Sequence, residues 1–222
     1  MENFLVRERV RAVTYQLLAK CYKLQPTLKE DKIIDNLYEV LSLVSDEAAN
    51  YAKAMKVEID NNNNIDEMKF DFLSLFVGPK TLLAPPYGSV YMEERGQIMG
   101  VSTQDAMRIY HQAGLKKSED FKEPPDHIRV ELEFMSTLIQ QTIEACEKSE
   151  WAEAEKKIEL QVEFLSKHLA GWIKPFANNI ISNAKTEFYK NLAKATESFI
   201  RQEYTEDSIA MKEEFKELTE II

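Results

Sequence analysis

The residues that interrupt regular structure are concentrated in one stretch of this chain. Phe70 to Gly100, FDFLSLFVGPKTLLAPPYGSVYMEERGQIMG, holds four of the six glycines and three of the seven prolines in 222 residues. Gly and Pro punctuate helices and strands, so the remainder is left with long uninterrupted segments. Those segments repeat apolar residues at spacings of three and four, the period of an amphipathic helix, and none alternates apolar with polar residues. There is no internal repeat and no sustained heptad. The expected fold is all-α, a single globular multi-helix domain over residues 1–222. The interrupted stretch is itself apolar and aromatic, whereas surface connections are ordinarily polar and long ones in compact domains are usually functional. Residues 77–101 are therefore read as a working loop on a helical frame.

The spacing predicts a first helix over about Asn3–Leu24, with Val6, Val10, Val13, Leu17, Cys21 and Leu24 as its inward stripe and Pro26 as its end. A second turns Ile33, Ile34, Leu37, Leu41 and Val44 inward, and a third covers about Glu47–Val57, capped by Ser45 or Asp46. Asn61 to Asn64 reads as an exposed loop. Ile65, Met68, Phe72, Leu75 and Phe76 mark a helix stopped by Gly78-Pro79. Ser102 or Thr103 caps a helix closed by Gly114, followed by the charged connection LKKSEDFKE. Next come a helix over about Asp126–Lys148 and a central, largely buried one from Trp151 to Leu169. Gly171 and Pro175 are expected to break the chain there. Phe188, Leu192, Ala195, Phe199 and Ile200 face inward from the next helix, and Met211, Phe215, Leu218 and Ile222 from the last turns.

Composition narrows the function classes. A net charge of -10 argues against nucleic acid, since phosphate binding requires clustered Lys and Arg. No stretch approaches the roughly 18 apolar residues of a membrane span, and no secretory leader is visible, so a soluble cytoplasmic protein is expected. Cys21 and Cys146 fall on apolar faces and read as buried free thiols.

Enzyme signatures are scarce. There is no phosphate loop, no dinucleotide fingerprint, no HExxH and no CxxC. His111, His127 and His168 stand at no ligand-like spacing, so no metal site is expected, and His168 reads as a core histidine. One polar constellation remains, Glu123-Pro124-Pro125-Asp126-His127 at a helix start. It suits capping and loop bracing by a neutral His127, or contact with a ligand; no nucleophile accompanies it for acid-base chemistry. Among the aromatics of the loop region, Phe72 and Phe76 sit at helix-period positions. Tyr87 and Tyr91 lie in a Pro/Gly segment, where a core role and contact with a partner both fit.

Two blocks carry a resemblance. Phe72-x-x-Leu75-Phe76-x-Gly78-Pro79 runs into Pro86-Tyr87-Gly88-Ser89-Val90-Tyr91, and Glu123-Pro124-x-Asp126-His127 follows at matching distance. In order and spacing they resemble the TorD/DmsD group of redox-enzyme maturation chaperones, and the LFVGP and PP-aromatic-GSV wording is closer to the DmsD-like branch. The resemblance implies a cytoplasmic all-α binding protein rather than an enzyme, with no cofactor of its own. Its partner would be the twin-arginine signal peptide, and in some members the mature part, of a molybdopterin-containing oxidoreductase held back from export until maturation. A monomer and a homodimer both fit the family. The implied peptide-binding residues are Phe72, Leu75, Phe76, Pro86, Tyr87, Tyr91, Asp126 and His127, supported by Gly78, Pro79, Ser89 and Glu123. Glu123, Asp126, Glu93 and Glu94 are the carboxylates expected to meet the arginines. Phe72, Tyr87 and Tyr91 stand where the DmsD-like branch often has tryptophan. A small-ligand or nucleotide-binding regulator using the same loop and Asp126-His127 is the alternative.

Overall fold

A computed structural model describes residues 1–24, 32–61, 65–78, 81–116, 120 and 122–220, without the side chains of residues 61, 65 and 206–209. The expectations placed on Pro26, Pro79 and Ile222, on most of the Asn61–Asn64 run and on part of the LKKSEDFKE connection lie outside the described residues. Among those described, the architecture is all-α, as the apolar spacing requires. The helices are α1 (Glu2–Cys21), α2 (Ile33–Leu41), α3 (Asp46–Asn61), α4 (Ile65–Phe72), α5 (Gly88–Met92) and α6 (Val101–Gln112). They are followed by α7 (Ile128–Glu147), α8 (Trp151–Phe164), α9 (Ala170–Asn183), α10 (Glu187–Gln202) and α11 (Ser208–Glu220). Wider π-type turns extend α4 over Leu73–Val77, join α8 to α9 over Leu165–Leu169, and join α10 to α11 over Glu203–Asp207.

Antiparallel α1 and α7 pack along their lengths, α10 lies between α3 and α9, and α8 rests on α7. The main core runs from Ala12 and Tyr15 on α1 through Ile139 on α7 to Phe199 on α10, and includes Leu75 and Trp172. A smaller cluster of Phe4, Ala145, Cys146, Ala154, Ile158, Met211 and Phe215 seats α11. The α7 face read from spacing is the buried one, as is the α10 face. Cys21 and Cys146 are buried free thiols. Burial pushes them up, to about 12 and about 11 respectively. His168 is a core histidine, stacked on Phe164 with its Nε2 3.2 Å from Asp105 Oδ2.

Several expectations are overturned. Val6, Val13 and Leu24, assigned inward, are 57%, 39% and 38% exposed; α1 buries Leu17 and Cys21 as expected, and beside them Phe4, Glu8, Arg11, Tyr15 and Leu18. The stripe was misphased because two of its members are charged. Arg11 donates to Glu8 (2.7 Å) and through a fork to Glu203 (2.7–3.0 Å), with Gln161 and the Tyr15 hydroxyl completing the group. Gly171 and Pro175 do not break the chain: both lie inside α9, which continues α8 through the π-type turn. Pro175 has no N–H to donate to the Gly171 carbonyl one turn back, so the helix runs on at the cost of one hydrogen bond. Ser102 and Thr103 are not the cap of α6, which starts one residue earlier, behind Gly100. The Glu93 carboxylate takes that role from outside, accepting from Ser102 N (2.8 Å) and Ser102 Oγ (2.7 Å).

Helix ends elsewhere follow their residues. Leu115 N donates to Tyr110 O and Gly114 N to His111 O, with Gly114 at φ 75°, the paired closure that a left-handed glycine permits. The same closure ends α7 with Ser149 at φ 59° in the glycine's place. Asp71 accepts from Lys185 N, Thr186 N and Thr186 Oγ at 2.7–3.2 Å, closing the start of α10 from α4.

Candidate functional site

The apolar loop and the polar constellation are joined by backbone at Tyr87 and His127, 40 residues apart. Gly88 N donates to Asp126 O (2.9 Å) and Ile128 N to Pro86 O (2.8 Å), making an isolated antiparallel pairing of Tyr87 with His127. Pro86 suits its place because only its carbonyl is needed there. In such a pairing the two residues enclosed by the hydrogen bonds lie close on one side, and the Tyr87 and His127 rings meet edge to face with centroids 5.5 Å apart. The Tyr87 hydroxyl donates to Glu123 Oε2 (2.7 Å). Burial and this carboxylate together hold its phenol well above the usual range.

Asp126 and His127 brace this corner. The Asp126 carboxylate is buried, and its Oδ2 accepts from Ser89 N at 2.8 Å. His127 caps α7, its Nδ1 accepting from Arg129 N at 3.1 Å. That bond assigns the proton to Nε2. Burial, with Arg129 nearby, lowers its pKa to about 3. A neutral His127 was expected from the positive helix end; the larger cause is desolvation.

Beside the corner lies a groove of about 160 Å³. Phe72 and Phe76 form its floor, in contact with each other at 5.2 Å and with Phe176 and Tyr189 of the core. Pro86, Tyr87 and His127 wall one side, Tyr22, Lys23 and Leu24 at the end of α1 another, and Val77, Glu123, Ile128 and Arg129 complete the rim. The groove thus unites Phe72, Phe76, Pro86, Tyr87, His127 and Glu123 from the sequence reading.

Other expected residues stand elsewhere. Leu75 is wholly buried in the core and Ser89 is buried behind the corner. Tyr91 lies on α5, a five-residue helix in a segment read as irregular. Its ring stacks on Trp172 at 5.7 Å and its hydroxyl accepts from Asn179. Gly78 ends the π-type turn at φ 43°. Asp126 is too buried to meet a partner's arginine without rearrangement, Glu93 caps α6, and Glu123 is the carboxylate lining the groove. Phe70, the first residue of the apolar stretch, is 69% exposed and outside the groove lining. The sequence reading missed Tyr22, Leu24 and Arg129, because nothing in their local spacing says which distant loop they face. No group of three or more His, Cys, Asp or Glu among the described residues is placed to hold a metal ion, and no helix among them is long and apolar enough to cross a membrane.

Comparisons with known proteins agree with this fold. A crystal structure from Archaeoglobus fulgidus, assigned as a candidate redox enzyme maturation protein, superposes with a TM-score of 0.53 at 23% identity, covering 88% of this chain and 93% of that one. The chaperone protein TorD of Photobacterium profundum is 32% identical over 123 residues, 55% of this chain and 56% of that protein. The TorD of Aliivibrio fischeri is 27% identical over 135 residues, 61% of each. The chain therefore spans less than two thirds of the length of these relatives. Both carry the TorD name, so they lend no support to a placement in the DmsD-like branch. The model of the nitrate reductase delta subunit family matches residues 37–178, which include the groove floor, the loop and the Glu123–His127 corner. This chain belongs to that family, the group that also contains the TorD chaperones.

Proposed function

We propose that the protein is a cytoplasmic chaperone that binds the twin-arginine signal peptide of a molybdopterin-containing oxidoreductase and assists its maturation before export. On this reading residues 1–222 act as one binding domain rather than an enzyme, and the working face is loop 77–101 with the Asp126-His127 corner. The supporting observation is the groove in which both motif blocks meet over an aromatic floor. An apolar run following two arginines has the chemistry to fill it. Burial at about 25 cal/mol per Å² would supply most of the affinity. Glu123 at the rim offers a charge-assisted hydrogen bond to a guanidinium, an exposed pair contributing orientation more than strength.

Titration of a synthetic twin-arginine leader by calorimetry tests this, and a folded sample that binds nothing at micromolar protein counts against it. Tyr87→Ala is expected to weaken binding by about tenfold, as loss of a central aromatic contact does. Tyr91→Ala, off the groove, should weaken it less. An equal loss from both variants would place the peptide elsewhere.

A further inference from the structure

Glu131 on α7 is completely buried, away from the groove lining. Its Oε2 accepts from the Trp172 indole nitrogen at 2.9 Å, while its Oε1 is buried without a hydrogen-bond partner. Trp172 is fully buried and carries α5 on its ring. A Cβ at Gly88 would stand 2.9 Å from the indole nitrogen, and the Tyr91 ring stacks on the indole within 16° of parallel. Gly88 also follows directly on Pro86-Tyr87, the strip bonded to Asp126 and Ile128 that walls the groove. The line from Glu131 to the wall is therefore short: carboxyl, indole, Gly88, Tyr87.

We propose that Glu131 is a positioning residue for the groove, its carboxyl fixing the indole against which Gly88 and Tyr91 are set. It acts as a neutral acid. A buried, half-partnered carboxylate is far more costly than the protonated group, and burial, aided by Asp126 nearby, raises its pKa well above the usual carboxylate range. Among the other groups facing this carboxyl, the Trp172 indole donates to it and by that bond favours the ionised form, but burial outweighs it, and the buried phenol of Tyr110 on α6 donates to Pro125 O rather than to either acid. Nothing among these is a cation that would favour the ionised form. The inference rests on the groove being the peptide site, and it makes the wall's position depend on a proton.

The test uses the full chain in a Trp151→Phe background, so that emission reports Trp172 alone. A leader peptide with two adjacent arginines and an apolar run serves as probe, titrated from about pH 6 to about pH 9, where neither Arg nor a free carboxyl changes charge. Glu131→Gln, which mimics the neutral acid, should bind within about twofold of the parent, and Glu131→Leu about tenfold more weakly, the scale of one buried hydrogen bond and its displacement. Affinity and Trp172 emission should match between Glu131 and Glu131→Gln across this range, and both should change in Glu131→Leu. A folded Glu131→Gln that binds about tenfold more weakly than the parent, or a Glu131→Leu that binds and emits like it, overturns the proposal. If the parent binds no leader at any pH, the peptide reading falls instead, and the emission profiles alone decide whether Glu131 holds the indole through its proton.

Discussion

At the scale of single residues, burial reassigns chemistry that the sequence offers to a partner. Asp126 and His127 stand side by side with the groups a ligand site would use, and the fold uses both for its own backbone. Asp126→Ala is expected to lower stability by about 1–3 kcal/mol, by leaving the buried Ser89 N–H without its acceptor. Leader affinity should then fall equally at low and high salt; a loss confined to low salt would indicate direct pairing with arginine. For His127 the sign follows from its depressed pKa, lowered by burial from 6.5 to about 3. Between those values the unfolded chain takes up a proton that the folded chain refuses, so stability present above pH 6.5 is lost as pH falls. Replacing it by the non-titrating cap His127→Asn should spare about 2 kcal/mol between pH 7 and pH 5, measured by urea unfolding. The residue types of this corner were legible in the sequence, but their partners were not, because each partner lies in another segment.

Among the elements, helices with a wholly apolar stripe were legible and those with a mixed one were misread. The face of α7 is read directly from Ile128, Leu132, Met135 and Ile139. The first half of the α1 stripe was misphased because Glu8 and Arg11 occupy buried positions, whereas composition alone would give the inward face to Val6 and Val13. Pro175 looked like a break, yet α8 and α9 run on through it, since packing of Trp172, Ile173 and Phe176 outweighs one lost hydrogen bond. A helix as short as α5 has too few residues for a periodic signal, and its place depends on Trp172. The end of α7 makes a prediction of its own. Ser149 holds a left-handed conformation at φ 59°, which disfavours any residue with a Cβ by about 1–2 kcal/mol. Ser149→Gly should raise the unfolding midpoint by about 1 kcal/mol of stability, with leader binding unchanged.

Across the whole molecule, one charged cluster ties the ends of the chain together. Arg11 of α1 links Glu8 to Glu203, at the turn leading into α11, and to Gln161 on α8. Removing one member of such a buried group strands the others, so Arg11→Met should cost about 3–5 kcal/mol in chemical unfolding. Leader affinity of the fraction still folded should be unchanged, because none of these residues lines the groove. The all-helical frame was thus readable from the chain, whereas the joints that hold it at the right spacing were hidden in residues that look solvent-facing. The groove floor has a consequence of the same reach. Phe72 and Phe76 are the outer rings of a cluster of edge-on and tilted aromatic contacts that continues inward through Phe176 and Tyr189. A guest settling on them meets a surface already held in shape by the interior, and surrenders only its own freedom on arrival. On the proposed reading, such a receptor loses little binding energy to its own ordering, so its choice among guests depends on fit.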